Sequence, residues 1–239
     1  MEAEPERSVT YTMPNGAQIV LRQPTTPTAA DVARRYLDKG LWEQAIVELE
    51  KARRSSPGDA EVFGLLGSIY LAHDRYADAV SALQAATRLA PDDAWWRFKL
   101  GVSHGWAGDQ DRRRTELEAA VGLRPDFADG YAELGQAYHD EGRASDAVAA
   151  WEKAVALGST VAEASYNLGA TYFQSGRAEQ AVPLLETAAR TGTEILAGHA
   201  HFALALTFQA LGRDPEVVVG ELRQAAALGD EQARQILSQ

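Results

Sequence analysis

Gly67, Gly101, Gly135 and Gly169 stand 34 residues apart, and Ala52, Ala86, Ala120, Ala154 and Ala188 keep the same step. Tyr36, Tyr70, Tyr138 and Tyr172 share it, with His104 in the missing place, while Pro57, Pro91 and Pro125 close successive units. A period of this length holds one supersecondary unit, too small to bury its own apolar face, so neighbouring units must stack. Such a chain folds as a solenoid whose core runs along its length rather than around one centre.

Each unit reads as two helices. In 128–161, Tyr131, Leu134, Gly135 and Tyr138 recur at helical spacing, Glu141-Gly142-Arg143 breaks the run, and Ala147, Trp151, Ala154 and Leu157 form a second stripe. A Gly on one helix and an Ala on the other let the two backbones approach, and the large Tyr and Leu side chains fill the flanking holes. Gly108, Gly142 and Gly176 suit the left-handed turn that ends a first helix. The closing prolines stop the second helix. This pattern resembles the tetratricopeptide repeat (TPR) family, whose signature is met by Phe63, Leu66-Gly67, Tyr70, Ala79, Leu83, Ala86 and Pro91. The resemblance covers most of the chain and implies an all-α, right-handed superhelical solenoid of antiparallel helix pairs.

The expected organisation is a β-hairpin arm and linker at 1–25, a solenoid at 26–230 and a capping helix at 231–239. The repeats fall at 26–59, 60–93, 94–127, 128–161, 162–195 and 198–230. The sixth keeps Leu204, Ala205, Phe208, Gly212, Leu222 and Ala225 but needs insertions near Thr191-Gly192-Thr193 and Arg213-Asp214-Pro215. In the last helix Ala233, Ile236 and Leu237 are expected to face inward, covering the final repeat. At the other end, 9–13 and 17–21 alternate like strands around Pro14-Asn15-Gly16, a sequence suited to a three-residue hairpin loop. Val9 then faces Leu21, Tyr11 faces Ile19 and Met13 faces Ala17, which makes one face apolar. An isolated hairpin is marginal in water, so this face must dock. Two readings are open: docking on the first repeat of the same chain, or pairing with another chain as a dimer arm or an added edge strand. Residues 23–28, Gln-Pro-Thr-Thr-Pro-Thr, read as an extended linker.

Composition narrows the functional classes. No run approaches the roughly 18 apolar residues of a membrane helix. The acidic start, Met1 to Glu6, lacks the basic and apolar regions of a secretory signal, so a cytoplasmic location is expected. Arg outnumbers Lys nineteen to four, as in proteins from GC-rich bacterial genomes. The net charge of −11 opposes binding to phosphate backbones. The one basic cluster, Arg112-Arg113-Arg114, lies among Asp109, Asp111, Glu116 and Glu118 and reads as a solvated, locally compensated helix end. A basic or amphipathic peptide is the better electrostatic partner, and nucleic acid and membrane insertion are not expected. With no cysteine there is neither a disulfide framework nor a thiolate ligand. No Gly-rich phosphate loop, nucleophile elbow or zinc signature is present, and no histidine pairs with a carboxylate at metal-binding spacing on one helix face. The expectation is a non-enzymatic protein without cofactor or metal.

The resemblance places the first helix of each repeat on the concave face. There it implies a partner-binding set of Trp95, Phe98, Val102 and Trp106 in repeat three, Asp129, Gln136, His139 and Asp140 in repeat four, and Glu163, Tyr166, Asn167 and Phe173 in repeat five. Asp129, Asp140 and Glu163 would select charge, and Asn167 stands where some family members hold a peptide backbone or is an ordinary polar helix residue. The carboxylate clamp of the chaperone-binding members is absent, since Ala30, Arg34, Gly64, Ser68 and Trp95 occupy its places and only Lys99 is compatible. Repeat three also departs from the pattern. Arg113 replaces the Ala found at Ala45, Ala79, Ala147 and Ala181, and a long Arg there must open the helix crossing or carry its charge outward. Trp95, Trp96 and Trp106 then either fill the loosened packing or line the groove. Trp42 and Trp151 are assigned to no site. The resulting reading is a scaffold or adaptor that binds a protein segment in its groove, in the assembly or regulation of a bacterial complex. The alternative is a self-assembling subunit that uses the arm residues Val9, Tyr11, Met13, Ile19 and Leu21 to form a homo-oligomer.

Overall fold

The computed structural model describes residues 8–12, 18–22 and 27–238. Strands β1 (Ser8–Thr12) and β2 (Gln18–Arg22) pair antiparallel, with Val9 opposite Leu21 and Tyr11 opposite Ile19. Met13 and the loop Pro14-Asn15-Gly16 lie outside the described residues. The rest is the helical solenoid expected from the period, in hairpins of α1 (Ala29–Leu37) and α2 (Trp42–Ser55), α3 (Ala60–Ala72) and α4 (Tyr76–Leu89), α5 (Ala94–Trp106) and α6 (Gln110–Leu123). It continues through α7 (Ala128–Asp140) and α8 (Ala144–Ala156), α9 (Ala162–Gln174) and α10 (Ala178–Thr191), α11 (Glu194–Ala210) and α12 (Pro215–Ala227), and ends with α13 (Glu231–Leu237).

Local chemistry sets these boundaries. Asp59 and Asp93 cap α3 and α5 by accepting from the first free backbone N–H groups. Inside a hairpin the chain turns in the left-handed region, at Gly142 with φ +74°, and Asp74 takes the same conformation at φ +58°. The residue after each turn donates its N–H back to the carbonyl at the repeating aromatic position, as Arg143 does to Tyr138 and Asp109 to His104. The extra residues at 191–193 do not loop out: Thr193 caps α11, which runs to 17 residues.

Between the helices of a hairpin, one large side chain covers each periodic glycine. A Cβ on Gly67 would come within 2.4 Å of Leu83, and one on Gly101 within 2.8 Å of Leu117. The repeats are joined by a polar ladder. Tyr70, Tyr138 and Tyr172 each donate a hydroxyl to a glutamate of the preceding unit, Glu50, Glu118 and Glu152. Arg75, Arg143 and Arg177 lie over the same three rings. Repeat three breaks the ladder, for His104 replaces the Tyr, is buried, and is held below the ordinary imidazole pKa by that burial.

At the end of the solenoid Ala233 is fully buried, but Ile236 and Leu237 remain 45% and 39% exposed, contrary to the inward placement expected for them. A seven-residue helix makes just under two turns, and Ala233 takes its buried contact. Among the described residues no helix is long and apolar enough to cross a membrane.

Candidate functional site

The first helices α5, α7 and α9 enclose a concave cavity of about 540 Å³. Its geometry begins with Arg113, on the second helix α6. Only 11% of its side chain is exposed, and its stem runs directly beneath α5, where a Cβ on Gly105 would lie 2.7 Å from its Cδ. The helix crossing is therefore not opened by aromatic filling. Gly105 leaves room for the stem, and the guanidinium emerges in the groove instead of at the outer surface.

There Arg113 Nη1 donates to Asp140 Oδ2 at 2.7 Å and to Gln110 Oε1 at 3.2 Å, and Nη2 lies 3.5 Å from Glu133 Oε2. Asp140 also accepts from Gln136 Nε2 at 2.7 Å, and Gln136 Oε1 accepts from Asn167 Nδ2 at 2.8 Å. One hydrogen-bonded chain thus crosses α6, α7 and α9 and fixes the side chains of the groove floor. The expectation of a solvated basic cluster holds for Arg112 alone, since Arg114 also crosses to α7 and pairs with Glu141 at 3.0 Å.

Burial raises the Glu133 carboxyl above its ordinary range, and the like charges of Glu163 and Asp140 add to that while Arg113 opposes it. Burial also lowers Lys99, which lies 4.8 Å above the Trp95 ring.

The structure sorts the expected site residues into several places. Val102, Trp106, Gln136, Asp140, Glu163 and Asn167 line the first cavity. Tyr166 and Phe173 line a second of about 530 Å³, between α9, α11 and the start of α13. Trp95 is 40% exposed and stacks at 5.5 Å on Phe98, which is buried against Phe127. Asp129 accepts from Ser159 Oγ, and His139 is exposed beside Trp151; neither lines these two cavities, so Asp129 does not share the floor with Asp140. The aromatics of repeat three also divide. Trp96 packs into the core, where a Cβ on Gly64 would meet it at 2.5 Å, whereas Trp106 is 65% exposed and stacks on Tyr76 at 5.8 Å. Arm residues Val9, Tyr11, Ile19 and Leu21 are described as backbone pairs only.

Sequence reasoning missed Glu133, Gly105 and the destination of Arg113. It also missed Trp151, which is fully buried yet lines the first cavity with its indole N–H unpaired. The signal for Trp151 was its place, 34 residues from both Leu117 and Leu185, where a Leu would keep the pattern. Among the described residues no group of three His, Asp or Glu side chains is placed to hold a metal ion.

A family model described as Tetratricopeptide repeat matches residues 36–100, and a second, described as TPR repeat, matches 135–176. Cellulose synthase operon protein C of Escherichia coli (strain K12) is 35% identical over 77 residues, a stretch that covers 31% of this chain and 7% of that protein. The chain thus spans a small fraction of the curated relative it matches. Among solved structures, Pseudomonas aeruginosa PilF superposes with a TM-score of 0.77 at 16% identity, covering 88% of this chain and 95% of that one. YrrB, described as a TPR protein with an unusual peptide-binding site, superposes with a TM-score of 0.63 at 15% identity, covering 80% and 98%. At these identities the two structures establish a shared fold.

Proposed function

Because this chain belongs to the tetratricopeptide-repeat family, we propose that it is a non-enzymatic scaffold that captures a basic or amphipathic protein segment along its concave face. Proteins of this family are generally interaction scaffolds. The observation that carries the proposal is the groove floor, where Arg113, Asp140, Gln136 and Asn167 are held by one another across three helices. A surface already fixed in this way loses little side-chain entropy when a partner binds. The exposed Trp106 at one cavity, with Tyr166 and Phe173 at the other, supplies the aromatic anchors that dominate protein interfaces. A segment in extended conformation would run from the first cavity to the second. Assembly or regulation of a larger bacterial complex is the role such capture would serve.

Affinity capture with the wild type and with the double variant Trp106→Ala, Phe173→Ala tests this reading. The variant is expected to keep its helical spectrum and lose the partners that the wild type retains. Recovery of the same partners in the same amounts contradicts it.

A further inference from the structure

Resting on that reading, we infer that the cavity between α5, α7 and α9 is a pocket for one basic side chain of the captured segment, with Glu133 and Glu163 as counter-charges and Trp106 as the aromatic wall at its mouth. The charges lining the cavity are three carboxylates, Glu133, Asp140 and Glu163, against a single cation, Arg113. Arg113 is bound at 2.7 Å to Asp140, which satisfies the closest of the three acids. Glu133 is only 3.5 Å from the same guanidinium, at the limit of a hydrogen bond, and Glu163 forms no ion pair among the described residues. Glu163 therefore faces the cavity without a counter-charge, and Glu133 has only the more distant contact with Arg113 and the charge of Lys99, a cation that burial disfavours.

An anionic ligand would have to displace Asp140 from Arg113 and sit beside Glu133 and Glu163. A Lys or Arg side chain meets two opposite charges and displaces nothing. Trp106 adds to this, because the electron-rich face of an aromatic ring attracts a cation. A volume of about 540 Å³ lies within the range of ligand pockets, which take a side chain together with adjoining backbone.

The test is to pan the full chain against a display library of random short peptides and then resynthesise a selected binder. The selected peptides are expected to share Arg or Lys at one position. Replacement of that residue by citrulline or norleucine should weaken binding about tenfold or more. The conservative pair Glu133→Gln, Glu163→Gln should bind the basic and neutral peptides equally. Glu163→Lys, at an exposed position that leaves the fold unchallenged, should shift selection towards an acidic residue. Selected peptides with no shared basic position, or equal discrimination by the wild type and the Gln pair, overturn the basic pocket. The groove reading survives either result if Trp106→Ala, Phe173→Ala abolishes binding, and it falls too if that variant binds as well as the wild type. Recovery of no binder overturns both.

Discussion

Where α4 meets α5, Trp96 closes the joint from the apolar side, packed so tightly over α3 that Gly64 cannot carry a side chain, and no ion pair joins α4 to α5 among the described residues. Where α6 meets α7, Arg113 reaches Asp140 and Glu133, Arg114 reaches Glu141, and Tyr138 donates to Glu118 at 3.0 Å. The two joints flank the same repeat and obey the same period. The 34-residue spacing thus specifies how far helices stand apart but leaves open what fills the space between them. An apolar seal is permanent and featureless to a partner, whereas a charged joint opens onto the groove and shapes it.

Breaking the apolar joint should have the largest effect. Trp96→Ala is expected to destabilise the chain by about 3 kcal/mol in chemical denaturation, with little dependence on salt, because the loss is one of burial and cavity formation. Arg113→Ala leaves Asp140 and Glu133 without their cation and empties the space beneath Gly105. A loss of about 2 kcal/mol is expected, changing with salt concentration because both acids are partly exposed to solvent. Equal salt dependence for the two variants would erase the contrast between the joints. Tyr138→Phe removes one rung of the ladder and should cost about 1 kcal/mol.

The smallest effect is expected in the pH dependence. Glu133 has a folded-state pKa above its ordinary 4.5, with Arg113, Asp140, Glu163 and Lys99 as the charges facing it. The folded chain therefore holds this proton more firmly than the unfolded one. Its contribution favours folding below pH 4.5 and is lost as the pH rises through the raised value. Denaturation curves of Glu133→Gln over that window should show less pH dependence than those of the wild type.

Much of the fold was legible because Gly, Ala and Pro encode close approach and helix termination within one or two turns of their own positions. Gly135 and Ala147, for example, identify a crossing from the sequence alone. The site was less legible because its bonds cross between hairpins. Arg113 and Asp140 are 27 residues apart, and nothing local tells which way a long side chain leaves an Ala slot. The readable clue was Gly105, one helix back, small enough to let Arg113 pass beneath it. Phe98 and Trp96 show the same limit, since helical spacing assigns a face but not the depth to which a neighbour covers it. Ile236 and Leu237 were misjudged because apolar character alone does not bring a short terminal helix into full contact.

Capture of the partner on the concave face, as proposed, can be read out directly. A photo-crosslinking residue at Gln174, exposed at the second cavity, can be compared with one at Val47, exposed on α2 away from both cavities, with the crosslinked segment mapped by mass spectrometry. One discrete partner segment is expected to join at Gln174, suppressed by Trp106→Ala, Phe173→Ala, and none at Val47. Equal crosslinking at both positions, or crosslinking at Val47 alone, would contradict capture on the concave face.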